Sequence, residues 1–171
     1  MAILFKLKVI EDNKKKINAF FERGFGELNK DYLTLAPVEA IYLVEKEKLI
    51  VKDVKKGRKK LKFVDLIKHF RNNDKEIIKK YFIYKDLRQK GYVVRTGLKY
   101  GAYFRVYEKG VRVGEGHSHW LVHPFPEEGR TSIYEIARAV RLAHSVRKKM
   151  IWAIVDSEGD ITYYKFERIV P

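Results

Sequence analysis

The strongest constraint on the fold is a helix signal set between strand signals in the second half of the chain. Ser132 and Glu135 have the S-x-x-E spacing of a capping box, and Ile133, Ile136, Ala137, Val140 and Ala143 follow as the apolar stripe of one helix face. The other face carries Arg138, Arg141, Ser145 and Lys148. Upstream, Tyr103, Arg105 and Tyr107 alternate with Ala102, Phe104 and Val106, the period of a half-buried strand that ends at Tyr107. A turn through Gly110, Gly114 and Gly116 leads to a second strand beginning at His117. There His117, His119, Leu121 and His123 share a face opposite Ser118, Trp120 and Val122. A loop with Pro124, Pro126 and Gly129 joins this strand to the helix. Beyond it, Met150 to Val155 is apolar enough for a buried strand, Asp156, Ser157, Glu158, Gly159 and Asp160 form a turn, and Ile161 to Phe166 is a further strand. These elements predict a mixed sheet flanked by helices.

The first half reads as a separate unit. Ala2 to Ile10 is a strand with Ile3, Phe5, Leu7 and Val9 on one face, followed by a turn at Glu11, Asp12 and Asn13. Asn18 to Arg23 is a short helix stopped by Gly24, and Tyr32 to Leu35 a short strand. Pro37 suits the first turn of a helix through Val38, Ile41 and Tyr42, and Lys48 to Val54 returns to a strand. The basic run Lys55, Lys56, Gly57, Arg58, Lys59, Lys60 is a loop, either a solvated turn or a contact for phosphates. Phe63 to Phe70 makes another helix, and Asp74 caps a longer one through Ile77, Ile78, Tyr81, Phe82 and Leu87 to Gly91. The expected class is therefore α+β or α/β with two small domains: an N-terminal mixed helix and sheet domain over 1–78 and a C-terminal one over 79–171. The boundary falls near Lys79, where helices with basic faces give way to the strand and helix pattern.

Charge narrows the function. Thirty-seven Lys and Arg against 22 Asp and Glu leave a formal charge of +15, which favours a polyanionic partner, most simply nucleic acid. The 46% hydrophobic content is enough for a buried core, so the charge decorates a folded protein. No apolar run approaches the roughly 20 residues of a spanning helix. The start MAILFKLKVI lacks a signal peptide's long apolar centre, so no membrane and a cytoplasmic location are expected. The absence of Cys excludes disulfides and thiolate metal sites. The 35% of charged residues fits life at high temperature.

Several residues are suited to chemistry on phosphodiesters, and each has a bland alternative. On a continuous helix, Arg141 and Lys148 lie within about 20° of each other and roughly 10 Å apart along the axis, so two cations share a face. That face is either solvated or set against phosphates and a stacked base. Tyr107, one of 11 Tyr, is a packing residue or a catalyst. His117 and His119 form an H-x-H pair that can bind a metal with His123 or Glu115, although no well-spaced third ligand follows. His117 is otherwise a hydrogen-bonded histidine or an acid or base near neutrality. His144, opposite Lys148 on the helix, reads as a packed residue.

Taken together, KYGAYFRVY, GEGHSHWLV and EIARAVRLAHSVRKKMIWAIVDSEGDITYYKF resemble the archaeal tRNA-splicing endonucleases across the whole second half, and EAIYL at Glu39 to Leu43 is similar to part of their first domain. Tyr107, His117 and Lys148 stand in the family's surroundings for its catalytic residues. The resemblance implies metal-independent, cofactor-free cleavage of precursor tRNA, in which the RNA's own 2'-hydroxyl attacks the adjacent phosphate and leaves a 2',3'-cyclic phosphate and a 5'-hydroxyl. Tyr107 would remove or orient the 2'-hydroxyl proton, His117 would protonate the departing 5'-oxygen, and Lys148 would stabilise phosphoryl charge. An unperturbed Tyr is a poor base at neutral pH, so Lys148 must lower its pKa or Tyr107 acts by positioning.

The implied substrate is a bulge-helix-bulge recognised by shape, with Arg141 the candidate to grip a bulged base and Arg138 beside it on the basic face. Its two cleavage sites imply a homotetramer in which an acidic loop, here Asp156, Glu158 and Asp160, enters a basic groove of a neighbour. The same residues suit a plain hairpin turn. Strand Ile161 to Phe166 is apolar enough to pair across subunits. Two rival functions are a noncatalytic structural or RNA-binding subunit and a metal-dependent nuclease.

Overall fold

The computed structural model describes residues 2–97, 102–111 and 116–169. Gly114 and Glu115, and residues 99–101 at the start of the first resembling motif, lie outside them. The chain forms two compact units, Met1–Lys85 and Asp86–Pro171. Their boundary lies within a helix, Ile77–Gln89, that also contains Lys79.

In the first unit, strands β1 (Ala2–Phe5), β2 (Lys8–Glu11), β3 (Glu27–Leu28), β4 (Leu33–Leu35), β5 (Val51–Asp53) and β6 (Lys59–Leu61) form one sheet in the order β3-β4-β2-β1-β5-β6. Helices α1 (Lys14–Glu22), α2 (Pro37–Glu45), α3 (Phe63–Arg71) and the first part of α4 (Ile77–Gln89) accompany it. Pro37 does open α2, and the Glu39 carboxylate, only 4% exposed, accepts hydrogen bonds from Ala36 N at 2.8 Å and Gly26 N at 2.9 Å. One buried acid thus ties a helix start to the loop before β3. Leu33, Leu35, Ile41, Leu43, Leu66 and Phe70 are buried in the core.

The expected first strand is instead a hairpin. Ile3 pairs with Ile10 and Phe5 with Lys8, and the chain reverses at Lys6, whose φ is 52°. Phe5 and Leu7 are therefore exposed while Val9 is buried. The alternating pattern runs straight through the reversal with no Gly, Asn or Asp to mark it. Similarly, α1 begins well before Asn18, because the Asn13 side chain accepts from Lys16 N at 3.1 Å and caps it. The basic run is also more ordered than a loop: Val54–Lys56 forms a 3-10 turn, and Lys59 and Lys60 belong to β6.

The second unit holds β7 (Val93–Thr96), β8 (Phe104–Tyr107), β9 (Trp120–Pro126), β10 (Lys149–Val155) and β11 (Ile161–Phe166) in the order β11-β10-β9-β8-β7. Among the described residues of this unit only the β9–β10 pair is parallel, and helix α5 (Ile133–Ser145) is the crossover between them. Arg105 pairs with Leu121 and Leu121 with Met150, so Tyr103, Arg105, Tyr107, Leu121, Met150 and Trp152 belong to one face. Ala143 of α5 closes a core there with Ala102, Leu121, Met150 and Trp152, and Phe125 stacks on Trp152 at 4.9 Å. Phe104 and Val106 are buried and Arg105 and Tyr107 half-buried, as the alternation predicts, while Ala102, ahead of the strand, joins the α5-side core instead.

Three local expectations change. The second strand starts at Trp120, not His117, and continues through both prolines where a loop is expected. Only Trp120 to Val122 pair with β8, while β10 pairs along the whole of β9. Glu127 N donates to Val155 O, so by alternation the nitrogens of Pro124 and Pro126 face the side that β8 has already left, and no ladder bond is lost. The predicted buried stripe of α5 is also only partly covered: Ala143 is buried and Ile136 and Val140 half-buried, but Ile133 is 81% exposed and Ala137 is exposed. The third change, at the end of α5, shapes the site.

Candidate active site

Helix α5 starts as its sequence predicts. Ser132 Oγ accepts from Glu135 N at 3.2 Å, and the Glu135 carboxylate accepts from Ser132 N at 3.3 Å and from Thr131 Oγ1 at 2.9 Å. Its hydrogen bond from Thr131, then those around Ser132, hold Glu135 below the usual carboxylate range.

The helix stops at Ser145. Arg147 N donates to His144 O at 3.0 Å and Lys148 N to Ala143 O at 2.8 Å, with Arg147 at φ 55°. These are the two bonds and the left-handed residue of a Schellman cap, here with arginine in place of the usual glycine. Lys148 therefore lies beyond the helix, and the expectation that it shares a helical face with Arg141 is corrected. No glycine marks the stop, so the periodicity of the sequence carries on past it.

Leaving the helix redirects Lys148. Its Nζ donates to the carbonyl of Ser118 at 2.8 Å, and Ser118 is only 5% exposed. Next door, Lys149 N donates to His119 O at 2.9 Å and His119 N to Val106 O at 3.0 Å. Three hydrogen bonds centred on Ser118 and His119 thus stitch together the end of β8 at Tyr107, the segment that begins with His117, and the start of β10 after Lys148. Tyr107 is half-buried and on the α5 side of the sheet, His117 is exposed, and Lys148 is half-buried. Three residues separated by ten and 31 positions in sequence come to one end of one sheet. Ser118, whose main chain receives the lysine, carries no signal in its side chain that marks this part.

Lys148, Lys149, His144, Ser145 and Arg147 line an open cavity of about 500 Å³. His144 is accordingly exposed on this cavity and not packed as expected, because the helix ends one residue after it. His119, the second member of the H-x-H pair, lies 3.5 Å from Glu108 Oε1. Among the described residues no group of three His, Asp or Glu side chains gathers as a metal site, and Glu115 lies outside them.

Arg138 and Arg141 are exposed on α5. Arg141 lines a different, mainly apolar trough with Ile133, Ile136, Val140 and Phe166, of about 520 Å³. The structure therefore separates Arg141's trough from the cavity beside Lys148. Asp156, Glu158 and Asp160 occupy the β10–β11 turn. There Asp156 Oδ1 accepts from Glu158 N at 2.9 Å and Asp160 N at 2.8 Å, and Gly159 takes φ 92°. Asp156 thus builds the turn, whereas Glu158 and Asp160 are exposed.

No helix among the described residues is long and apolar enough to cross a membrane. The sequence matches the tRNA intron endonuclease catalytic C-terminal domain over residues 77–163 and the N-terminal domain of the same family over residues 2–67. Similar proteins include the tRNA-splicing endonuclease of Thermococcus gammatolerans, 44% identical over 161 residues that make up 94% of this chain and 92% of the relative. Those of Pyrococcus horikoshii and Methanococcus vannielii are each 44% identical, covering 95% and 92% of this chain and 92% and 87% of their own lengths. With both domains matched in order and nearly the whole length aligned, this chain belongs to the tRNA intron endonuclease family.

Proposed function

We propose that the chain is a tRNA-splicing endonuclease that cleaves precursor tRNA at the two bulges of a bulge-helix-bulge by metal-independent attack of the RNA's 2'-hydroxyl. The observation that carries this reading is the set of bonds from Lys148 Nζ to Ser118 O, Lys149 N to His119 O and His119 N to Val106 O, which join the chain next to Tyr107, next to His117 and at Lys148 at one sheet end. Transesterification at phosphorus needs a group at the 2'-hydroxyl, a proton donor at the 5'-oxygen and a cation for the charge that gathers between them. A phenol, an imidazole and an ammonium supply these three, in that order.

In this mechanism Tyr107 orients the 2'-hydroxyl or takes its proton as the new P–O bond forms. His117 as imidazolium gives its proton to the 5'-oxygen as the old P–O bond breaks, so the products are a 2',3'-cyclic phosphate and a 5'-hydroxyl. Lys148, held by the Ser118 carbonyl, offers positive charge to the phosphoryl oxygens. Its placement beyond the helix end supports this role, since a lysine on α5 itself would follow the helix away from the β-strand ends.

Arg141 and Arg138 are the proposed RNA grip, and Glu158 and Asp160 a contact between subunits of a homotetramer. The exposure of all four side chains supports their availability. The two domains would divide near residue 79, with the nuclease site in the second. Cleavage of a small bulge-helix-bulge RNA by the purified protein in excess EDTA, with the new ends identified, tests the proposal. Cyclic phosphate ends at both bulges are expected. Activity recovered only on adding a divalent ion would replace this reading with a metal-dependent nuclease, and inactivity throughout would leave a binding or structural subunit.

A further inference from the structure

The first unit contains a second basic feature, remote in sequence from the nuclease residues, built from two segments that the fold brings together. Lys56 and Lys59 of the β5–β6 hairpin and Lys68 and Arg71 of α3 line one groove of about 440 Å³, with Leu4 and Leu61 among its apolar walls. Lys68 and Arg71, three residues apart, are neighbours on one helix face, so the groove has a cationic edge on each side. The hairpin edge is shaped by consecutive left-handed residues, Gly57 at φ 62° and Arg58 at φ 60°.

The groove's own acids and histidine are already engaged. Asp53 Oδ1 accepts from Lys55 N at 3.0 Å, Asp65 Oδ2 accepts from Lys62 N at 2.9 Å, and His69 Nε2 lies 2.7 Å from Lys6 O. Among the described residues none of Lys56, Lys59, Lys68 and Arg71 forms an ion pair. Four cations against the two carboxylates of Asp53 and Asp65 leave the groove with an excess of positive charge, and with Lys55, Arg58 and Lys60 on the same hairpin this calls for an external polyanion.

We propose that this groove holds the phosphodiester backbone of the tRNA body. The inference rests on the reading of the chain as a tRNA endonuclease. Lysines are point charges that accept phosphates without demanding a base, which suits sequence-independent contact to the part of the substrate that differs between tRNAs. The groove positions the RNA and takes no part in bond breaking.

The test is the salt dependence of binding to an intronless tRNA transcript, followed by fluorescence anisotropy. It is run on the full chain and on two double variants, Lys68→Gln with Arg71→Gln and Lys56→Gln with Lys59→Gln, each checked for an unchanged melting midpoint. Each phosphate contact contributes about 0.7–0.9 to the slope of log K against log salt, so each pair is expected to flatten it by roughly 1.5. A fourfold rise in salt then costs each variant about eightfold less affinity than it costs the unaltered protein. An unchanged slope in both variants overturns the groove while leaving the nuclease reading intact. A drop in oligomer mass on sedimentation with the slope unchanged also overturns it, and makes the groove a protein contact. Absence of salt-sensitive binding by the unaltered protein overturns the groove, and joined to absence of cleavage in the EDTA assay it fails the nuclease reading as well.

Discussion

Lys148→Met separates the two parts Lys148 plays, as a chain residue and as a charge. The substitution keeps the aliphatic stem and the backbone bond from residue 148 to Ala143 O, so the helix cap survives. It removes the ammonium that lies 2.8 Å from Ser118 O. A hydrogen bond from a charged donor contributes about 1.5–3 kcal/mol, and the half-exposed position puts this one at the lower end or below. A loss of about 1 kcal/mol lowers the melting midpoint of a unit this size by only about 4–8 °C.

On the proposed mechanism the chemical loss is larger. A unit charge about 4 Å from charge developing on a phosphoryl oxygen is worth about 4 kcal/mol at an effective dielectric of 20, and removing one such donor slows acyl transfer by roughly 100- to 1,000-fold. Single-turnover cleavage with protein in excess, measured well below the melting midpoint, is therefore expected to slow at least 100-fold in Lys148→Met. The reasoning is refuted if the rate stays within about threefold of the unaltered protein, or if the loss of rate only follows the fraction unfolded.

Other perturbations report on the scaffold. Ser132→Ala removes the cap of α5 and is expected to destabilise by about 1 kcal/mol, with Ser132→Asp restoring most of it in the same thermal melts. Gly26→Ala meets a φ of 68° and places its Cβ 2.8 Å from Leu33 Cγ and 2.9 Å from Thr34 O, so denaturant titration should show a loss well above about 1 kcal/mol. Burial raises the Glu45 pKa, but the Lys85 hydrogen bond at 2.7 Å, the nearby Tyr81 hydroxyl and the Lys85 charge together bring it below its ordinary value. The folded-state pKa is thus depressed, so this pair adds stability above about pH 4.5 that is lost as the pH falls through the lower folded value. Lys85→Met is expected to lower the denaturant midpoint at neutral pH and to converge on the unaltered protein in strong acid; a constant difference at all pH values would show that the pair's charge is not involved.

The parts of the fold legible in the sequence are those where local chemistry and burial agree. Pro37 opens α2, Ser132 and Glu135 open α5, and the alternation around Phe104 gives a strand with one buried face. Where two local rules compete, the sequence misleads. Phe5 and Leu7 continue an apolar alternation, yet pairing of Phe5 with Lys8 folds that stretch into a hairpin and leaves both exposed. Pro124 and Pro126 read as loop residues, but β9 keeps only one neighbour at that point and tolerates them. Strand β7 was not anticipated at all, since Val93–Thr96 is too short to show a period before it pairs with β8.

By itself the sequence determined the family, the two-part organisation, and Tyr107, His117 and Lys148 as the candidate catalytic residues, because spacing and residue type are local properties. It also carried the charge that points to RNA. Only the tertiary structure decided that α5 ends on a left-handed Arg147, that Lys148 reaches Ser118 and not Arg141's face, and that Lys56 and Lys59 share a groove with Lys68 and Arg71. A helix stop without glycine and a groove between separate segments arise from main-chain hydrogen bonds and packing across distant positions. Neither leaves a period or a motif in the chain.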